Sequence, residues 1–176
     1  VNATQTLSLG QTILDAIIGY LIRHLNLNAP YQMSKRYNFF RFFTKNLRPK
    51  FYNLQTGVGG VLYPPHSLKA EMLDSNIFMK IAPTTDDLWV WAAAVANGTK
   101  IAPVPFGYWN PRELDKPLDV SLKHTNIYSG TDVNQKVLER ILEEYPIIRR
   151  RIEGEVEEKE GPHLIYLWRV LYSRMA

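Results

Sequence analysis

The stretch Gly57-Val58-Gly59-Gly60-Val61-Leu62-Tyr63-Pro64-Pro65-His66-Ser67-Leu68 sets the reading of this chain. Three glycines in four positions make a turn in which backbone can approach a ligand closely, or simply a tight bulge. The turn runs into a short apolar strand, Val61-Leu62-Tyr63, which Pro64-Pro65 stops. Ser67 then offers an N-cap for a short helix through Leu73. About twenty residues on comes Thr84-Thr85-Asp86-Asp87-Leu88-Trp89-Val90-Trp91. Here Thr84 or Thr85 caps a helix over residues 86–97, and Gly98 ends it. Residues 100–105 form a brief second strand. Taken together, the order is a glycine turn, a strand, a carboxylate pair opening a helix, and a return to the sheet.

Each of these features has an ordinary structural explanation. Acidic residues in a first helical turn complement the helix macrodipole, worth ~0.3–1 kcal/mol each. Trp89 and Trp91, two residues apart, do not share a helix face, so one belongs to the core and the other can line a cleft. The order and spacing are more specific. The block resembles the C-terminal half of the catalytic domain of GT-A type bacterial glycosyltransferases, in the broad inverting family that builds surface polysaccharides. Those enzymes show a small-residue strand of the Gly-x-Gly-Gly type, then a helix opening with Ser-Leu, an acidic pair opening another helix, and x-Gly-x-Lys-Ile before a strand. The counterparts here are residues 57–63, Ser67-Leu68, Asp86-Asp87 and Gly98-Thr99-Lys100-Ile101. The pairing of Gly-Val-Gly-Gly-Val-Leu-Tyr-Pro-Pro with Asp-Asp-x-Trp is similar to one group of these enzymes, whose downstream pattern is echoed by Asn126, Asp132 and Tyr145-Pro146. The resemblance spans residues 51–146, and residues 1–50 and 147–176 carry none of it.

The resemblance implies a transfer from a nucleotide-sugar donor to a polysaccharide or lipid-linked acceptor; the alternative expectation is a non-catalytic membrane- or partner-binding module derived from that fold. In an inverting transfer one carboxylate deprotonates the acceptor hydroxyl that attacks the anomeric carbon. The family's base is the second acid of the pair, which is Asp87 here, and Asp86 orients it or binds an acceptor hydroxyl. Gly57, Gly59 and Gly60 would set backbone N–H groups beside the sugar or its phosphate, and Tyr63 and Trp89 would stack on sugar faces. His66 and His124 are read as ordinary loop residues. The family also implies a divalent metal held by an Asp-x-Asp motif, since hard cations take oxygen ligands. No Asp-x-Asp occurs in this sequence, and upstream of Gly57 the only acidic residue is Asp15. The first 56 residues are also too few for the strands that normally hold the nucleotide. The first expectation is therefore a C-terminal fragment of a longer enzyme. A shortened relative ranks second, and an enzyme in which the basic segment 35–50 replaces the metal ranks third.

The rest of the chain bounds these expectations. With 176 residues, 45% hydrophobic and 12% aromatic, it can bury a real core. The absence of cysteine excludes disulfides, a thiol nucleophile and thiolate metal sites. The formal charge is +4, but between Ala16 and Ala70 there are eight basic residues and no Asp or Glu. These are Arg23, Lys35, Arg36, Arg41, Lys45, Arg48, Lys50 and Lys69, and such asymmetry points to an anionic partner. Residues 31–52 (YQMSKRYNFFRFFTKNLRPKFY) interleave the cations with aromatics. That composition fits a helix with an aromatic core face and a solvated basic face. It also fits an anionic membrane surface and, least favoured, single-stranded nucleic acid.

No stretch reaches the ~20 apolar residues that span a bilayer, and no signal peptide is visible. The expected location is cytoplasmic, with peripheral contact at the inner membrane face. The Asn2-Ala3-Thr4 and Asn97-Gly98-Thr99 sequons are then chance matches. Residues 11–27 read as a buried or amphipathic helix. Thr131 or Asp132 caps a helix to Tyr145 with Val133, Val137, Leu138, Ile141 and Leu142 inward. A charged linker (RRRIEGEVEEKEG) follows, and Pro162 opens a terminal amphipathic helix. The expected fold is mixed α/β: a partial GT-A-like sandwich with a small sheet, flanking helices and helical extensions at both ends. Its parts are a helical basic-aromatic segment (1–50), a transferase-like half-domain (51–146), and a linker with the terminal helix (147–176).

Overall fold

The computed structural model describes residues 15–31, 35–36, 48–104 and 132–156. Strand β1, Ile17–His24, is the centre of a four-stranded sheet. It pairs antiparallel with β2 (Lys35–Arg36) and β3 (Asn53–Leu62), and parallel with β4 (Ile101–Pro103). The helix expected over residues 11–27 is therefore corrected to a strand where the chain is described. A long apolar run has no period that separates a buried helix from a buried strand. The β-branched Ile17, Ile18 and Ile22 favour the strand once neighbours exist to pair with it, and Gly19 weakens the helix alternative. Burial alternates through Ile17 and Gly19, then slips phase to reach Ile22.

The slip marks an irregularity in the partner strand. Gly19 is opposite Val61 and Leu21 is opposite Thr56, so β1 passes one residue, Tyr20, while β3 passes four, residues 57–60. The glycine turn is thus a wide bulge inside β3, and the strand begins four residues before it, at Asn53. Gly59 and Gly60 carry it at φ of 97° and 100°, backbone that L side chains rarely adopt. The sheet also curls. Ile101 pairs with Ile17 and is bridged on its other side by Lys50, and Asn53 Nδ2 donates to the Ile101 carbonyl at 2.8 Å.

After β3 a 3₁₀ turn, Ala70–Leu73, leads into helix α1, Ser75–Ile81, capped by the Asp74 carboxylate accepting from Asn76 N at 2.8 Å. Ser67 caps neither element. It is buried, and Lys69 precedes the 3₁₀ turn. Helix α2 runs Asp86–Asn97 and ends at Gly98, whose φ of 92° gives the left-handed cap expected of glycine. Helix α3, Val133–Glu144, is capped by Asp132, whose carboxylate accepts from Gln135 N. Val137, Leu138, Ile141 and Leu142 are its buried positions, and Val133 packs partly buried against the same core.

Residues 149–156 of the expected charged linker belong to helix α4, Pro146–Val156. Pro146 sits at its first position, where a missing N–H costs nothing. Ile148, Ile152 and Glu155, at spacings of four and three, turn inward. The expected terminal helix after Pro162 lies outside the described residues. So does most of the basic-aromatic segment, apart from Tyr31, β2 and residues 48–52.

One core holds these elements. Helix α2 is buried nearly all round, through Leu88, Trp89, Trp91, the alanine run and Val95. Ile17 and Ile22 from β1, Leu54 from β3 and Ile148 and Ile152 from α4 join the same cluster. Among the described residues no helix is long and apolar enough to cross a membrane.

Candidate functional site

The first two residues of α2 are the acidic pair. Asp86 is exposed and Asp87 is partly buried. The bulge in β3 brings the backbone of Gly57 to this helix end, and Gly57 N donates to Asp87 Oδ1 at 2.7 Å. Thirty residues of chain separate the two. A side chain at position 57 would crowd the contact, because a Cβ there would lie 3.2 Å from Asp87 Oδ1. Two of the sequence's candidate groups, the glycine turn and the second acid, therefore meet in space.

The carboxyl group of Asp87 is pushed above the usual carboxylate range. Burial is the main cause, and the neighbouring Asp86 charge adds to it. The Gly57 N–H and the Arg23 guanidinium pull in the other direction. Two tyrosines sense the same charge. Tyr63, half-exposed beside the bulge, is raised by burial and by Asp87 and Asp86, and the Gln55 carboxamide opposes this. Tyr31 is raised by burial and by Asp87 and Asp132, with Arg23 opposing. Its backbone N–H donates to Gln135 Oε1 at 2.7 Å, which ties it to α3. Arg23 lies over the Tyr31 ring, 6.0 Å from its centroid.

Gln55 is fully buried and faces Tyr63, yet neither carboxamide atom makes a well-formed hydrogen bond among the described residues. At Gly60 a Cβ would meet nothing within 4 Å, so the bulge is open on that side. At Gly59 a Cβ would strike the Tyr20 ring at 2.8 Å.

Trp89 does not reach the site. It is 4% exposed, its indole N–H donates to the Met72 carbonyl at 2.8 Å, and Tyr145 packs edge-on against it. Stacking on a sugar needs an open ring face, so that expectation is corrected. Trp91 is core as well, donating to the Phe51 carbonyl. Both tryptophans are buried because helix α2 has neighbours all round: the strands, the 3₁₀ turn and two helices.

His66 is an exposed loop residue at φ 60°, and its carbonyl accepts from Asn97 Nδ2. Trp109, His124 and Asn126 lie outside the described residues. Among the described residues no three His, Asp or Glu side chains come together as a cation would require. The pair Asp86 and Asp87 does not by itself fit a divalent metal, and no step is derived through one.

Sequence reasoning did not single out Arg23, Gln55 and Tyr31 as site residues. Arg23 did carry a signal, being a charge inside an apolar run. Gln55 had none, because nothing local tells a buried strand glutamine from a loop one. Comparison with protein-family models, with curated proteins and with solved structures finds no match for this chain.

Proposed function

We propose that this chain takes part in glycosyl transfer from a nucleotide sugar to a saccharide or lipid-linked acceptor, with Asp87 as the general base. The observation that carries the proposal is the Gly57–Asp87 contact. It joins the glycine turn to the second acid of the pair and fixes one carboxylate oxygen, leaving the other to face a substrate. Burial raises Asp87 toward the proton affinity at which a base works well near neutral pH. In the proposed step the acceptor oxygen bonds to the anomeric carbon as its proton passes to Asp87. The bond from that carbon to the phosphate oxygen breaks, and the nucleoside diphosphate leaves with the electron pair. Asp86, exposed at the rim, would hold an acceptor hydroxyl, and Tyr63 offers the half-exposed ring for a sugar face. The open side of the bulge at Gly60 leaves room for that sugar. In this reading the sheet and α2 belong to a GT-A-like sandwich, and the metal ligands expected of that family are not among the described residues.

The test is nucleotide release from UDP-glucose, UDP-galactose and GDP-mannose in the presence of saccharide acceptors. Asp87→Asn keeps an oxygen to accept from Gly57 and should lower turnover by about 10²–10⁴-fold, the usual contribution of a general base. Undiminished turnover in that variant, with an unchanged fold, removes Asp87 from the role.

A further inference from the structure

Asn97-Gly98 is the single Asn-Gly pair in the sequence. It stands where helix α2 ends, with Asn97 as the last helical residue and Gly98 as the left-handed cap. Asparagine is among the chemically labile residues, and a following glycine leaves the next backbone nitrogen without a side chain to shield it. In that chemistry the Gly98 nitrogen bonds to Asn97 Cγ and gives up its proton. The Cγ–Nδ2 bond breaks, and ammonia leaves. Solvent water then opens the five-membered imide at one carbonyl or the other. The products are aspartate, or isoaspartate with an extra methylene in the main chain.

The nucleophile and the leaving group of this step are both held by the fold. Gly98 N donates to the Val95 carbonyl at 3.0 Å, and Thr99 N donates to the Ala94 carbonyl at 2.9 Å. Those two bonds together close a Schellman cap. Asn97 Nδ2, the leaving nitrogen, donates to the His66 carbonyl at 2.9 Å and to Thr99 Oγ1 at 3.1 Å. Ring closure needs Asn97 to leave its helical backbone conformation, so these contacts must open first. Asn97 and His66 are exposed, so water is at hand once they do.

The contact to His66 also has a structural task. The chain from the β3 bulge to the loop after the strand is tied to α2 at both ends of the helix. Asp87 accepts from Gly57 N at the start, and Asn97 donates to the His66 carbonyl at the finish. A carboxylate at position 97 has no proton to donate. It would face the His66 carbonyl as a second acceptor, at the helix end where negative charge is unfavourable. Lys69 N donates to the Ala93 carbonyl at 3.1 Å and would still hold the chain beyond the loop.

We propose that Asn97 is a self-modification site, deamidating at a rate set by opening of the α2 cap, and that conversion releases residues 64–68 from the helix. The measurement is peptide mapping by mass spectrometry after the full chain is incubated at mildly alkaline pH, native and in urea. Asn97 should convert readily in urea and about tenfold or more slowly in the native protein, because only the locally opened fraction reacts. Thr99→Val removes one partner of Nδ2 and keeps the branched shape. It should quicken the native reaction by about twofold or more and leave the rate in urea unchanged.

Asn97→Asp supplies one product directly, for hydrogen exchange. Its Ser67 amide, which donates to the Pro64 carbonyl inside the loop, should exchange about threefold faster or more than in wild type. Its Lys69 amide should be unchanged. No conversion in urea, or equal rates in urea and in the native protein, overturns the proposal. So does an unchanged Ser67 amide in Asn97→Asp, or a Lys69 amide that quickens along with it, which is general loosening rather than release of the loop.

Discussion

Asp87 is a carboxyl group under four influences, and their balance has a measurable consequence. Burial and Asp86 favour its neutral form, while Gly57 N–H and Arg23 favour the charged one, and the net direction is upward. In the unfolded chain Asp87 loses its proton near pH 4. Between that pH and its higher folded value, the folded protein holds a proton that the unfolded chain has released. Stability therefore falls as pH rises through this window and levels off above it. Asp87→Asn removes the effect and retains an acceptor for Gly57. Thermal melts from pH 3 to 8 should show the variant gaining on wild type as pH rises, with the difference flat again above the window. A difference independent of pH would place the carboxyl in an unperturbed environment. At this scale the sequence was only partly legible. The acids and glycines could be picked out as candidates, but their contact depends on where β3 bulges. Trp89 was misplaced because a helix sequence does not say how many of its sides are covered.

The bulge in β3 is where element-level conflict is resolved. Residues 57–60 are accommodated opposite a single β1 residue, and this turns the Gly57 N–H toward α2. Two alanine substitutions separate backbone strain from crowding. Gly60→Ala meets no neighbour and pays only for its positive φ, about 1 kcal/mol. Gly59→Ala adds a clash with the Tyr20 ring and should cost about 2–3 kcal/mol. Urea denaturation of both variants checks the order, and equal losses would mean that Tyr20 moves aside freely. Helices α2 and α3 could be read from sequence because their ends are local chemistry, Gly98 and Asp132. Strand β1 could not, since most of its pairing is with β3 and β4, whose partner residues lie 29 to 84 positions away. Helix α4 was hidden for another reason: its inward face includes a charge, Glu155, so the stretch looked like a solvated linker.

That buried charge ties distant parts of the molecule together. Glu155 Oε2 accepts from Phe51 N at 2.6 Å, and Lys100 Nζ lies 2.9 Å from Oε1 and 5.0 Å from the Phe51 ring. The Phe51 carbonyl in turn accepts from Trp91. Start of strand, central helix and last described helix thus meet at one residue. Glu155→Ala should cost about 2 kcal/mol by orphaning the Phe51 N–H, moderated because Lys100 is partly solvated. Arg149→Ala breaks an exposed pair on the same helix and should cost under about 0.5 kcal/mol. Chemical denaturation of the two variants tests the contrast, and similar small losses would show that the Glu155 clasp contributes little to stability. The central position of β1 also bears on how the protein folds. Its antiparallel partners lie 11 to 44 residues along the chain, but its parallel partner begins at Ile101 and the clasp on Phe51 is made by Glu155. Such long-range pairing folds slowly, so the side of β1 that takes β4 is expected to be covered last. Until then that apolar edge is the segment that chaperones have most reason to hold.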